Sequence, residues 1–212
     1  MVKYPTGVQP LNLNIKNAQT RRKLRQLTGH KHSVSFSDRG MTLEQELNET
    51  NKYYLGQELA VVHKKPTPVQ IVKVDYPARS RAVIREAYFR QASTTDYNGV
   101  YQGYYLDFEA KETRNKRSFP LKNFHEHQVA HLAACLQQGG ICFTVIKFVT
   151  LQRYFVLPAS VLIKAWRSNA RSSMTLHMIE DNAIEIHSRY RPPLPYLPAV
   201  AQLIKQKEKL HD

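Results

Sequence analysis

Residues 94 to 111 read Thr94-Thr95-Asp96-Tyr97-Asn98-Gly99-Val100-Tyr101-Gln102-Gly103-Tyr104-Tyr105-Leu106-Asp107-Phe108-Glu109-Ala110-Lys111, and this stretch limits the fold more than any other. From 104 onward the residues alternate as a strand does. Leu106, Phe108 and Ala110 point one way; Tyr105, Asp107, Glu109 and Lys111 point the other. Gln102-Gly103 predicts a two-residue turn, because glycine tolerates the positive φ that tight hairpins require. That turn sets Asp96 opposite Glu109 and Thr94 opposite Lys111, on one face, with facing Cβ atoms about 5 Å apart. Two carboxylates so placed can share one hard cation beside a phosphodiester. Asn98-Gly99 is a rival turn that would pair Glu109 with Tyr88 instead. The Gln102-Gly103 register gives both strands a sensible face, and Asn98-Gly99 is then expected to form a bulge.

Taken alone, a Glu-x-Lys triplet on a strand is more often a solvated face than a catalytic one. Charge adds to the case. Lys and Arg number 31 against 17 Asp and Glu in 212 residues, a formal net charge of +14. Such an excess is the electrostatic footprint of nucleic-acid binding. No basic amphipathic helix stands out to favour a membrane surface. The longest apolar run, around residues 141–146, falls far short of a membrane span, and the N-terminus lacks a hydrophobic signal core. Cys135 and Cys142 show no metal-ligand spacing and are read as reduced core residues of a cytoplasmic, nucleoid-associated protein.

Residues 1–38 are read as a disordered basic arm: Lys3, Lys16, Arg21, Arg22, Lys23, Arg25 and Lys31 precede the first acid, Asp38. Residues 39–212 are read as one domain. A helix is predicted over about 42–57, started by a Thr42/Gln45 capping box and buried through Leu43, Leu47 and Tyr54. Glu46 and Glu49 flank that stripe. Residues 59–63 read as a short buried strand. A basic, proline-interrupted insertion over about 65–90 carries Lys65, Lys73, Arg79, Arg81 and Arg85, with Lys64 at its edge, and is placed as a protruding stalk. Its Tyr88 and Phe89 are candidates for stacking on bases. Arg114, Lys116 and Arg117 form a basic loop after the hairpin.

A second helix is predicted over about 124–138, from an Asn123/Glu126 start to a Gly139-Gly140 stop. Phe124, Gln128, Leu132 and Cys135 fall on its apolar stripe, so Gln128 needs a polar partner inside. It can satisfy a backbone group, or it can join the acidic cluster. His127 and His131 lie four apart, with no Cys or third ligand evident to complete a zinc site. Strands at about 141–148 and 152–157, a helix at about 159–168, a proline-rich connector and a last helix at about 198–210 complete the reading.

The order helix, strand, Asp-hairpin-Glu-x-Lys, helix, strand resembles the PD-(D/E)xK nuclease core. More specifically, the chain resembles the RecU family of Holliday junction resolvases. The resemblance rests on Arg39-Gly40-Met41-Thr42-Leu43-Glu44, on residues 47–54, and on His63-Lys64-Lys65-Pro66-Thr67-Pro68. It continues through Asp107-Phe108-Glu109-Ala110-Lys111-Glu112-Thr113, Phe119-Pro120-Leu121 and Asn123-Phe124-His125. It covers about residues 39–160; the arm and C-terminus match only in character.

The resemblance implies an α/β, restriction-endonuclease-like mixed sheet flanked by helices, with a protruding basic stalk. It implies a homodimeric, Mg2+-dependent endonuclease acting on branched DNA, with Mn2+ as an alternative ion and recombination proteins as partners. The family's metal site maps onto Thr94, Asp96, Glu109 and Gln128, with Lys111 stabilising the transition state. Tyr104 stands where the family pattern would place a basic residue, which weakens one phosphate contact and leaves the metal site intact. Asp107 shares the face of Glu109 as a second-rank ligand.

Overall fold

The turn at Gln102-Gly103 sets the sheet. In the computed structural model both residues take positive φ, 51° and 84°, the pairing of left-handed residues that matches the twist of a tight hairpin. Residues 41–77, 81–90, 94–168 and 172–209 are described. They belong to a single unit, 39–212. The basic arm, and Arg79 within the insertion, lie outside the described residues.

Strands β4 (Tyr97–Tyr101) and β5 (Tyr104–Thr113) pair antiparallel, with Tyr97 opposite Phe108 and Asn98 opposite Asp107. This is the predicted register. The bulge expected at Asn98-Gly99 is absent: Gly99 pairs in step with Leu106 on one side and Val62 on the other. A close approach explains the glycine. A Cβ on Gly99 would clash with the Val61 carbonyl oxygen and the Val62 backbone.

A helix and a strand precede the hairpin, α1 (Leu43–Gly56) and β1 (Val61–Lys64). The Thr42/Gln45 capping box forms as predicted, and Leu43, Leu47 and Tyr54 are buried. The strand near residue 62 is a correction. It is an edge strand rather than a buried one: Val62 is covered, while Leu59 and Val61 are about half exposed at 50% and 47%. Only one of its faces meets the body, and only one neighbour, β4, pairs with it.

β2 (Val69–Asp75) and β3 (Val83–Phe89) pair only with each other, as a separate two-stranded sheet with an exposed face on nearly every residue. Beyond β5 come β6 (Ser118–Pro120), α2 (Glu126–Gln137), β7 (Ile141–Phe148), β8 (Arg153–Pro158) and α3 (Ala159–Arg167). The chain then runs through β9 (Ser173–Thr175), α4 (Leu176–Asn182), β10 (Ile184–Ile186) and α5 (Leu197–Glu208).

The main sheet has six strands in the order β1-β4-β5-β7-β8-β10. Only β5 and β7 run parallel, joined by the crossover that contains α2. Every residue of β7 is buried, as expected of a central strand covered on both faces. The result is the expected mixed sheet flanked by helices. One layer packs α1 and α5 against Leu106, Phe108, Phe143 and Val145. The other packs Leu132, from α2, and Leu162, from α3, against Cys142, Ile146 and Phe155. Phe108 stacks on Tyr97 at 4.9 Å and on Phe143 at 4.6 Å between ring centroids, which locks β5 between its neighbours.

The two hairpin glycines separate two kinds of constraint. Gly99→Ala should destabilise the fold by about 1–3 kcal/mol, because the added methyl meets backbone that cannot yield. Gly103→Ala has open space for its Cβ and should cost about 1–2 kcal/mol, the price of left-handed φ alone. Denaturant midpoints of the two variants check this. A Gly99→Ala midpoint equal to the parent's contradicts the packing account.

Candidate active site

Alternation along β5 turns Asp107, Glu109 and Lys111 to the face covered by α2. Glu109 has no exposed surface. Its carboxylate is held from three sides. The Asp96 backbone N–H donates to Oε2 at 3.1 Å, and the Gln128 side-chain amide donates to Oε1 at 2.7 Å. The Lys111 ammonium stands 2.8 Å from Oε1. Asp96, one residue before β4, is opposite Glu109 as the hairpin register requires.

Burial is the largest influence on Glu109, and it raises the pKa; the Asp96 carboxyl beside it raises it further, while Lys111 lowers it in part. The net effect pushes Glu109 up to about 8 from an ordinary value of 4.5. Two carboxyl groups this close, one of them buried, need a proton or a cation between them.

Gln128 answers the question its place on the apolar stripe posed. It is buried, its amide nitrogen on Glu109 and its amide oxygen accepting from the His125 backbone N–H at 3.0 Å. It serves the backbone and the acidic cluster together. This also corrects the predicted helix start. Residues 121–123 form a short 3-10 turn, and α2 begins at Glu126, with His125 at its cap. The cap partner is Gln128, so Asn123 and Glu126 do not play that part.

The Thr94 hydroxyl donates to the Thr95 carbonyl at 3.4 Å, and no described hydrogen bond joins it to Glu109 or Lys111. Glu46 and Glu49 lie on α1, across the sheet from Glu109. Glu46 is buried against Lys147 (3.0 Å) and the Tyr154 hydroxyl (2.8 Å), and Glu49 pairs with Lys52 on the surface.

Asp107 is fully buried but is not a spare carboxylate. It accepts hydrogen bonds from the Thr95 hydroxyl, the Lys65 ammonium (2.9 Å) and the Tyr105 hydroxyl (2.8 Å), with His131 Nε2 at 3.2 Å. Burial pushes its pKa up, but the Thr95, Lys65 and Tyr105 hydrogen bonds outweigh it and leave the carboxyl below its ordinary value. Lys65 is therefore drawn inward, and its backbone N–H also holds the Asp96 carbonyl at 2.7 Å. Lys64 pairs with Glu44. Lys73, Arg81 and Arg85 are exposed on or beside the two-stranded sheet, and Arg114, Lys116 and Arg117 are exposed in the loop leaving β5.

The ligating side chains that gather at His131 are not the ones its helical spacing suggested: Asp107 and Cys135, rather than His127, make up the group. Helical spacing concealed this, since Asp107 comes from a strand.

Thr144 is a residue that sequence reasoning missed. It is the register partner of Glu109 in the parallel β5–β7 ladder and so shares its face. Its buried hydroxyl has no hydrogen-bond partner among the described residues. The available signal was one hydroxyl inside the apolar run Ile141-Cys142-Phe143-Thr144-Val145-Ile146. The paired carboxyls and this unpartnered hydroxyl form an all-oxygen set that fits a hydrated hard cation such as Mg2+.

The raised Glu109 pKa has a stability consequence. Between pH 4.5 and 8 the folded chain holds a proton that the unfolded chain has released. This group's contribution is thus fully present below pH 4.5 and lost as pH rises through 8. Glu109→Gln, uncharged throughout, should be more stable than the parent at pH 8 in the presence of EDTA. The gap should close towards pH 5. Thermal unfolding at both pH values checks this, and a pH-independent gap contradicts it.

A family model described as Recombination protein U matches residues 38–202. The chain is 64% identical to a Lactobacillus helveticus protein named Holliday junction resolvase RecU, over 99% of each chain. It is 65% identical to the protein of that name from Lactobacillus acidophilus, over 99% of this chain and all of the relative. A Lactobacillus delbrueckii subsp. bulgaricus protein of the same name is 66% identical, over all of this chain and 99% of the relative.

Proposed function

The chain belongs to the recombination protein U family, and on that premise we propose that it is an endodeoxyribonuclease that resolves four-way DNA junctions, with Asp96, Glu109 and Lys111 as its catalytic residues. The observation that carries this reading is Glu109, a fully buried carboxylate gripped by Lys111, Gln128 and the Asp96 backbone. A protein that only bound nucleic acid would gain nothing from a buried acid left with a raised pKa beside a second carboxyl.

Asp96 and Glu109 would hold Mg2+, or Mn2+ in its place, helped by Gln128 and by Thr94 after a rotation of its hydroxyl. Such an ion, when bound, activates a water and neutralises charge on the scissile phosphate. Lys111 supplies a positive charge at a site that is mostly screened from solvent, where it stabilises developing negative charge. Gln128 fixes the orientation of Glu109 from the cap of α2.

The substrate's grip comes from charge. Lys73, Arg79, Arg81 and Arg85 belong to the β2–β3 insertion, read as a stalk, with Lys64 at the end of β1 beside it, and Arg114, Lys116 and Arg117 to the loop that follows the strand bearing Lys111. With the arm of residues 1–38 they bind phosphate backbone; Tyr88 and Phe89, 59% and 83% exposed, stack on unpaired bases. Two nicks in strands related by two-fold symmetry call for a homodimer with one site per subunit. The protein acts in the cytoplasm on the nucleoid, alongside recombination proteins. No described helix is long and apolar enough to cross a membrane.

Incubation with a synthetic four-way junction and Mg2+ should yield paired symmetric nicks. Asp96→Ala and Glu109→Ala should bind the junction and fail to cut it. Lys111→Ala should slow cutting by about 10²–10³-fold with binding retained, by analogy with loss of one transition-state charge partner. Cutting by Asp96→Ala and Glu109→Ala at the parent rate would remove the proposed site.

A further inference from the structure

We propose that Asp107, His131 and Cys135 form a second cation site, separate from the Asp96–Glu109 pair and selective for borderline, thiol-accepting divalent ions such as Zn2+ or Co2+. One ligand atom from each of the three lies within 4.8 Å of the other two. The closer separations are 3.2 Å from His131 Nε2 to Asp107 Oδ2 and 3.5 Å from Cys135 Sγ to His131 Nε2. Tetrahedral zinc with ordinary bond lengths sets the N–O edge at about 3.3 Å and the S–N edge at about 3.6 Å. The side chains already stand on two edges of such a tetrahedron.

The scaffold is rigid on both sides. His131 and Cys135 lie one turn apart on the same face of α2. Asp107 is fixed on β5 and buried. The Lys65 ammonium, 2.9 Å from Asp107 Oδ2, is the cation now held there. Its side chain is 18% exposed, so solvent is open to it if an ion takes its place. Ligation then proceeds with loss of the Cys135 thiol proton to solvent, and with water completing the coordination. A thiolate and an imidazole disfavour Mg2+, just as an all-oxygen set favours it. The two sites, two residues apart along β5 and so roughly 7 Å apart, therefore sort ions by chemistry.

Cobalt reads the site directly. The full chain is titrated with Co2+ in excess Mg2+, which keeps the carboxylate pair occupied. A near-ultraviolet thiolate-to-cobalt band should grow in and saturate at one ion per chain. It should be lost in Cys135→Ala and in His131→Ala and kept in Glu109→Gln; circular dichroism checks that each variant is folded. Lys65→Met, which removes the competing ammonium, should saturate at a lower Co2+ concentration than the parent. Absence of the band in the parent overturns the proposal. So does a band that persists in folded Cys135→Ala, which would place the thiolate at Cys142, or Lys65→Met binding no tighter than the parent.

Discussion

Glu109 is a carboxylate with no exposed surface on the strand between β4 and β7, and the surrounding structure is arranged to keep it there. Removing a carboxylate from water without partners costs more than the whole stability of a domain. The chain meets that cost locally. The hairpin turn brings the Asp96 backbone to Oε2; strand alternation brings Lys111 to Oε1; the cap of α2 brings the Gln128 amide. What remains uncompensated shows in the pKa, pushed up to about 8. The site is thus left short of positive charge, which is the condition a divalent cation relieves.

Rigid packing on the opposite face makes this possible. Tyr97, Phe108 and Phe143 stack beneath the hairpin, and the Tyr97 hydroxyl reaches Asn48 of α1 at 3.0 Å. Asp107 plays the complementary part on the polar face, gathering Thr95, Lys65, Tyr105 and His131. Through Lys65 and Thr95 it fixes the segment that carries Asp96. A second buried acid, Glu46, is satisfied by Lys147 and Tyr154 on the far side of the sheet. Among the described residues, Glu46 and Asp107 are partnered by protein groups, while Glu109 lies beside a second carboxyl and keeps a raised pKa.

Local chemistry was legible wherever one dipeptide or one period decided the outcome. Gln102-Gly103 could adopt the turn, and the alternating faces of residues 104–111 chose it over Asn98-Gly99. The Thr42/Gln45 box started α1 as read, and strand β7 ran from Ile141 to Phe148 as its apolar run implied. Gln128 announced a partner by sitting among apolar neighbours. Elements that depend on distant pairing were not legible. β6 exists because β9 pairs with it, and β10 because β8 does; three-residue strands carry no period of their own. Gly99 looked like a bulge because the approach of β1 to its α-carbon lies outside the local sequence.

The sequence by itself determined the hairpin, its register and hence the meeting of Asp96 with Glu109 and Lys111, because side-chain alternation and positive-φ turns are set by residues within reach of one another. Only the tertiary structure decided which acids are buried, what partners them, and that Asp107, His131 and Cys135 converge. Burial and convergence depend on how α1 and α2 lie across the sheet, and no local stretch of chain carries that information.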